Sequence, residues 1–208
     1  MHIKICGLTR PDDAELAVAL GASALGFVFW PGSPRAVGAD VVRGITRALP
    51  PFVAAVGVFV NAPRDEVLRT AARAALTAVQ LHGEEDPAEY AEEGLRVIKA
   101  VPVGPRFAVE AVEALPPGVT VLLDAHDPIR RGGTGRTIDW TAAGEAARRR
   151  PVILSGGLTA GNVGRAVQLV RPYAVDVSSG VESAPGVKDR EKLRDFFAAA
   201  VAPRMDGT

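Results

Sequence analysis

The sequence predicts an α/β fold, a single (β/α)8 barrel of the TIM type, on three observations. Eight short apolar runs recur along the 208 residues, and an amphipathic stretch of helix-forming residues follows each. Most of the runs are nearly continuous in Val, Ile and Leu rather than alternating, as in strands buried on both faces of a parallel sheet. Eight such units of about 25 residues suit a closed barrel near the lower size limit of that fold.

The elements follow in order. His2–Cys6 reads as the first strand and Asp12–Leu20 as its helix, started by Pro11-Asp12-Asp13 and stopped at Gly21. Ala24–Val28 precedes Asp40–Leu49. Val53–Val60 precedes Arg64–Arg73, which Pro63 and Asp65 introduce. Thr77–Leu81 precedes Pro87–Glu93, begun at Asp86-Pro87 and ended at Gly94. Arg96–Ala100 precedes Phe107–Leu115, with Gly118 as the stop. Val119–Leu123 pairs with Thr141–Arg149, Pro151–Leu154 with Ala160–Val170 behind Thr159, and Ala174–Val177 with Asp189–Val201. Strand–helix alternation of this kind calls for right-handed βα units. A doubly wound open sheet is the alternative, but no GxGxxG stands at the first strand-to-helix turn, which weakens a dinucleotide-binding version. No linker divides the chain, so one domain is expected over residues 1–202, with 203–208 as a frayed tail.

Composition narrows the function classes. Hydrophobic residues at 48% and charged residues at 23% describe an ordinary globular chain. Lys plus Arg equals Asp plus Glu at 24 each, so no overall field favours nucleic acid or an anionic membrane, and any anion must be held locally. Cys6 is the only cysteine, which rules out an internal disulfide and suits a reducing compartment. The start lacks the apolar core of a signal peptide, and no apolar run approaches a bilayer span of about 20 residues. A cytoplasmic protein, monomer or homodimer, is the expectation.

In a barrel the chemistry belongs at the C-terminal ends of the strands. Polar and glycine residues collect there and not at the other ends. Ser155-Gly156-Gly157 follows the seventh strand and Ser178-Ser179-Gly180 the eighth. Two such loops side by side let backbone N–H groups approach an anion, so Gly156, Gly157, Ser179 and Gly180 are expected to bind a phosphate. Cys6 ends the first strand, where a thiol of pKa about 8.5 needs only modest tuning to act as a base. Asp124 follows an apolar run, where desolvation favours an acid role. Cys6 and Asp124 lie on strands one and six and form a candidate acid–base pair across the barrel mouth. Arg35 can grip a carboxylate or phosphate through two parallel bonds. His82 ends the fourth strand and by itself reads equally as structural or catalytic. Gly132-Gly133-Thr134-Gly135 reads as a flexible loop and candidate lid. His126 and Asp127 lack a metal-ligand spacing, and no metal site is expected.

These residues carry a resemblance. Lys4-Ile5-Cys6-Gly7-Leu8-Thr9, Gly26-Phe27-Val28-Phe29 with Ser33-Pro34-Arg35, Val79-Gln80-Leu81-His82-Gly83, Leu123-Asp124, Gly156-Gly157-Leu158 and Asp176–Glu182 before Pro185–Asp189 occur in order. Together they resemble the phosphoribosylanthranilate isomerases of tryptophan biosynthesis, from Lys4 to Asp189. The resemblance implies a barrel enzyme without cofactor or metal. It would carry out an Amadori rearrangement on a small phosphorylated substrate, with Cys6 as general base at C2′ and Asp124 as general acid at the ring oxygen. It implies that Arg35 holds the anthranilate carboxylate and that the glycine loops hold the phosphate, and it leaves His82 without a role. The departures are mild: Ile138 stands where the family usually has Phe, and Ser155 where Ala is common. The related sugar isomerase of histidine biosynthesis is the nearest rival, but that family places an Asp where this chain has Cys6. A non-catalytic phosphate sensor on the same scaffold would need neither Cys6 nor Asp124.

Overall fold

A computed structural model describes residues 1–90, 93–125 and 137–201. Eight parallel strands close into a barrel: β1 (His2–Ile5), β2 (Ala24–Val28), β3 (Ala54–Phe59), β4 (Ala78–Leu81), β5 (Arg96–Val103), β6 (Thr120–Ala125), β7 (Val152–Leu154) and β8 (Ala174–Val177). Closure rests on β1 pairing with β8, with Lys4 opposite Asp176, and this excludes the open-sheet alternative.

Helices α1 (Pro11–Ala19), α2 (Ala39–Thr46), α3 (Arg64–Ala74), α4 (Glu110–Glu113), α5 (Trp140–Arg149), α6 (Ala160–Val170) and α7 (Arg190–Val201) connect or follow the strands. Their starts are local. Pro11 opens α1 with Asp12 and Asp13 in the first turn, where an N–H is not needed and negative charge meets the helix dipole. Asp139 opens α5 by accepting from the N–H groups of Thr141 at 2.8 Å and Ala142 at 3.3 Å.

Two expected helices are reduced. Among the described residues of the stretch Pro87–Glu93 there is a 3-10 turn over Pro87–Tyr90, and Phe107–Leu115 yields only the four residues of α4. Pro116-Pro117 disfavours helix in the residue before it, and no long amphipathic face is available to stabilise either segment. Arg150 compensates at α4: its guanidinium donates to the carbonyls of Val112 and Leu115, each at 3.0 Å, and to those of Pro116 and Val119. The loop at Gly132–Gly135, the residues His126 and Asp127 and the tail 203–208 lie outside the described residues.

Alternation along the strands sorts the core into two shells. Leu25, Phe27, Val79, Leu81, Val121, Leu123 and Val175 face the helices. Val56, Ala78, Ile98, Leu122, Ile153 and Ala174 fill the barrel. The same alternation turns Cys6, His82, Asp124, Ser155 and Ser178 inward at the C-terminal end, where they line one cavity.

One element escapes apolar periodicity because its strands are too short. After β8 a 3-10 turn (Ser179–Val181) leads into the antiparallel hairpin β9 (Glu182–Ala184) and β10 (Val187–Lys188). The backbone N–H of Lys188 donates to Asp13 of α1 at 3.0 Å, and its Nζ donates to the Cys6 carbonyl at 2.6 Å. The hairpin is thus a strap fastened to α1 and to the end of β1. Among the described residues, no helix is long and apolar enough to cross a membrane.

Candidate active site

The cavity at the strand ends has a volume of about 390 Å3. Cys6, Arg35, His82 and Asp124 all line it, so four of the residues singled out in the sequence meet in one place. Trp30, Val28 and Val58 supply an apolar wall beside Cys6.

Asp124 is buried, and its Oδ2 lies 3.2 Å from His82 Nε2. The side-chain amide of Gln80 sits 3.0 Å from His82 Nδ1. The imidazole is thus held between Gln80 on its Nδ1 side and Asp124 on its Nε2 side. His82 therefore orients the Asp124 carboxyl, leaving the other oxygen for the cavity. This supplies an interaction for His82 that its place in the sequence left open.

Cys6 sits where β1 opens into the cavity, above Lys4. Burial pushes the thiol pKa above its ordinary value, against the pull of the Lys4 ammonium. Lys4 donates to Asp176 Oδ1 at 2.9 Å, and both are buried. Gly26 makes room for this stack. A Cβ there would lie 2.8 Å from Cys6 Sγ and 3.1 Å from Lys4 Nζ.

Arg35 has a partner within the chain. One edge of its guanidinium is already engaged by Glu182 of the strap: Nε donates to Oε1 at 2.9 Å and Nη2 to Oε2 at 2.6 Å. Lys188 Nζ binds the same carboxylate at 2.7 Å. Burial alone would raise the Glu182 pKa, but the Arg35 hydrogen bonds and Lys188 hold it below the ordinary carboxylate range. Among the described residues Nη1 of Arg35 has no hydrogen-bond partner, and Arg35 lines the cavity. A carboxylate buried in a three-residue strand leaves no periodic signal, which is why this partner was missed.

A second, smaller cup of about 30 Å3 adjoins the cavity and is lined by Ser155-Gly156-Gly157-Leu158 and by Ser178-Ser179-Gly180. Among the described residues, the backbone N–H groups of Gly156, Gly157, Ser179 and Gly180 donate to no other backbone or side-chain group. Glycine is required by contact at both loops. A Cβ on Gly180 would run into the Leu158 carbonyl, and one on Gly156, where φ is +88°, would meet the Ala125 nitrogen at 2.9 Å. Asn162 of α6 fixes the first loop, accepting from Thr159 N–H at 2.8 Å and donating to the Gly157 carbonyl at 2.9 Å. Unpartnered N–H groups converging on a cup suit a phosphate.

Sequence reasoning gave no role to Lys4, Gln80, Asp176, Glu182 or Lys188. Two left a usable signal: Lys4 between Ile3 and Ile5, and Asp176 between Val175 and Val177, are charges inside buried strands that must find each other. Among the described residues, no group of three or more His, Cys, Asp or Glu is arranged to hold a metal.

Comparison with known proteins agrees with this geometry. The profile of the family described as N-(5'phosphoribosyl)anthranilate (PRA) isomerase matches residues 3–199. A relative from Pelobacter propionicus named N-(5'-phosphoribosyl)anthranilate isomerase is 47% identical over 208 residues, covering 100% of this chain and 99% of its own. The phosphoribosyl anthranilate isomerase of Thermus thermophilus superposes with a TM-score of 0.87 at 46% identity, covering 96% of this chain and 98% of its own. Another phosphoribosyl anthranilate isomerase, solved in complex with reduced 1-(o-carboxyphenylamino)-1-deoxyribulose 5-phosphate, superposes at 0.83 with 41% identity over 96% and 98% of the two chains. On a profile match that spans nearly the whole barrel and a full-length relative close to half identical, the chain belongs to the N-(5'-phosphoribosyl)anthranilate isomerase family.

Proposed function

We propose that Asp124 is the general acid and Cys6 the general base of the family's reaction, with the glycine cup holding the substrate phosphate and the free edge of Arg35 its carboxylate. The chain is an isomerase of tryptophan biosynthesis. It converts N-(5-phosphoribosyl)anthranilate into 1-(2-carboxyphenylamino)-1-deoxyribulose 5-phosphate. The observation that carries the assignment is the convergence of one carboxyl, one thiol and an anion cup on adjoining walls of a single cavity.

The steps follow from bond changes. Asp124 gives its proton to the ring oxygen. The bond from that oxygen to C1′ breaks, and the anthranilate nitrogen supplies the electron pair that makes a C1′–N iminium. Cys6, as thiolate, takes the proton from C2′. The released pair forms a C1′–C2′ double bond and neutralises the nitrogen, and the resulting enol becomes a ketone as C1′ takes up a proton and the 2′-hydroxyl gives one up. His82 Nε2–H stabilises the carboxylate left on Asp124. Acid and base are separate groups because the two transfers need opposite protonation states. We read residues 1–202 as one catalytic domain acting in the cytoplasm without cofactor or metal, a reading supported by the unbroken barrel and by the biosynthetic reaction.

Asp124→Asn tests the acid. It keeps size and some hydrogen bonding but removes the transferable proton. Turnover should fall by about 10²–10⁴-fold while the reduced product analogue still binds with near wild-type affinity in calorimetry. Retained turnover, or lost binding at normal kcat, contradicts the assignment.

A further inference from the structure

We propose that Lys4 is a positioning residue of this reaction: held by Asp176 beneath Cys6, its ammonium favours the thiolate form of the base. The inference rests on the reading of Cys6 as general base.

The first support is that packing does not require a charge here. Val56, Ile98, Leu122 and Ile153 fill the barrel from other strands with apolar side chains, and a lysine stands among them only with its charge paired. The second is proximity, since Lys4 Nζ and Cys6 Sγ crowd the same point where Gly26 lacks a side chain. The third is donor capacity. Lys188 Nζ spends its donors on the carbonyls of Cys6 and Ser178 and on Glu182. Lys4 Nζ has Asp176 as its single hydrogen-bond partner among the described residues and retains donors for sulfur.

The fourth support is charge balance. Lys4, Lys188 and Arg35 surround Cys6 against the two carboxylates Asp176 and Glu182, while His82 and Asp124 face it across the cavity. On the sulfur's own side, with Asp124 held apart on the far wall, the cations outnumber the carboxylates three to two, and a thiolate evens the count there. The electrostatic directions agree. Burial raises the Cys6 pKa and Lys4 lowers it. Burial would lower the Lys4 pKa, but Asp176 and Cys6 together keep it above its ordinary value, so the ammonium stays charged.

The alternative is that Lys4 and Asp176 merely plug the barrel floor. Cys6 is the only cysteine, so the difference in absorbance at 240 nm between each protein and its Cys6→Ser counterpart titrates this thiol and subtracts the two tyrosines. Lys4→Met should raise the titration midpoint and move the acid limb of kcat/KM upward with it, so that activity lost at neutral pH recovers as pH rises. Asp176→Asn removes the opposing charge and should move both downward. Because Lys4→Met strands Asp176 in the core, the double variant Lys4→Met/Asp176→Asn is the second arm, and its midpoint should lie above wild type. A midpoint unmoved in folded variants, or moved the same way by both single substitutions, overturns the proposal. Wild-type activity in Cys6→Ala would instead retire the base assignment, leaving the thiol titration to judge Lys4 separately.

Discussion

At the scale of single residues, the active site depends on how burial and neighbours divide the protons. As the proposed base Cys6 would work as thiolate, and burial holds its pKa above the ordinary thiol value. A base with a raised pKa is deprotonated only as pH climbs. We therefore expect kcat/KM to rise through neutral pH and level off on the alkaline side. A profile flat from acid to alkaline pH would exclude Cys6 as the group that limits proton removal. Arg35 offers a sharper test of substrate identity, because phosphate cups are common on barrels and a carboxylate site is not. A charged hydrogen bond is worth about 1.5–3 kcal/mol net, so Arg35→Ala should cost about 10–150-fold in kcat/KM. With Glu182 already on one edge, the control is essential. An analogue lacking the carboxylate should be handled alike by wild type and variant. An equal loss on both substrates would mean that Arg35 only anchors the strap.

At the scale of elements, the weak places are short, and side chains from elsewhere hold them. The four-residue α4 is too short to persist alone. Arg150, just past α5, gathers four carbonyls at the end of α4 and in the loop that follows. Arg150→Ala should lower unfolding stability by about 2–4 kcal/mol, a few net hydrogen bonds to a charged donor. Denaturant unfolding should register the loss with little change in kcat, since Arg150 lies outside the cavity lining. A loss below about 0.5 kcal/mol, typical of surface substitutions, would show that the loop holds itself. Elements of this kind were hard to read in the sequence. The eight strands stood out because most are nearly continuous apolar runs, and α6 matched its expected bounds because Thr159 and an amphipathic face mark them. The reductions at Pro87–Tyr90 and α4 follow from prolines, glycines and brevity rather than from any missed periodicity. The strap β9–β10 was invisible as structure, although Glu182 and Lys188 lie in it.

For the molecule as a whole, eight repeated units were enough to predict the architecture, and closure followed once β1 paired with β8. The candidate site was legible to the extent that strand ends are legible, as Cys6, His82 and Asp124 show. Its supporting charges were not, because Lys4 meets Asp176 across 172 positions of chain and Arg35 meets Glu182 across 147. A chain with no net charge can still gather buried ion pairs at one end of the barrel this way. The central claim is that the cavity there moves a proton from substrate carbon to Cys6 and another from Asp124 to the ring oxygen. Single-turnover loss of fluorescence from freshly prepared phosphoribosylanthranilate tests it most directly, with wild type and Cys6→Ala run side by side at enzyme excess. The account predicts rapid conversion by wild type and a rate lower by about 10²–10⁴-fold in the folded Cys6→Ala protein. Conversion by Cys6→Ala within a few-fold of wild type would contradict it.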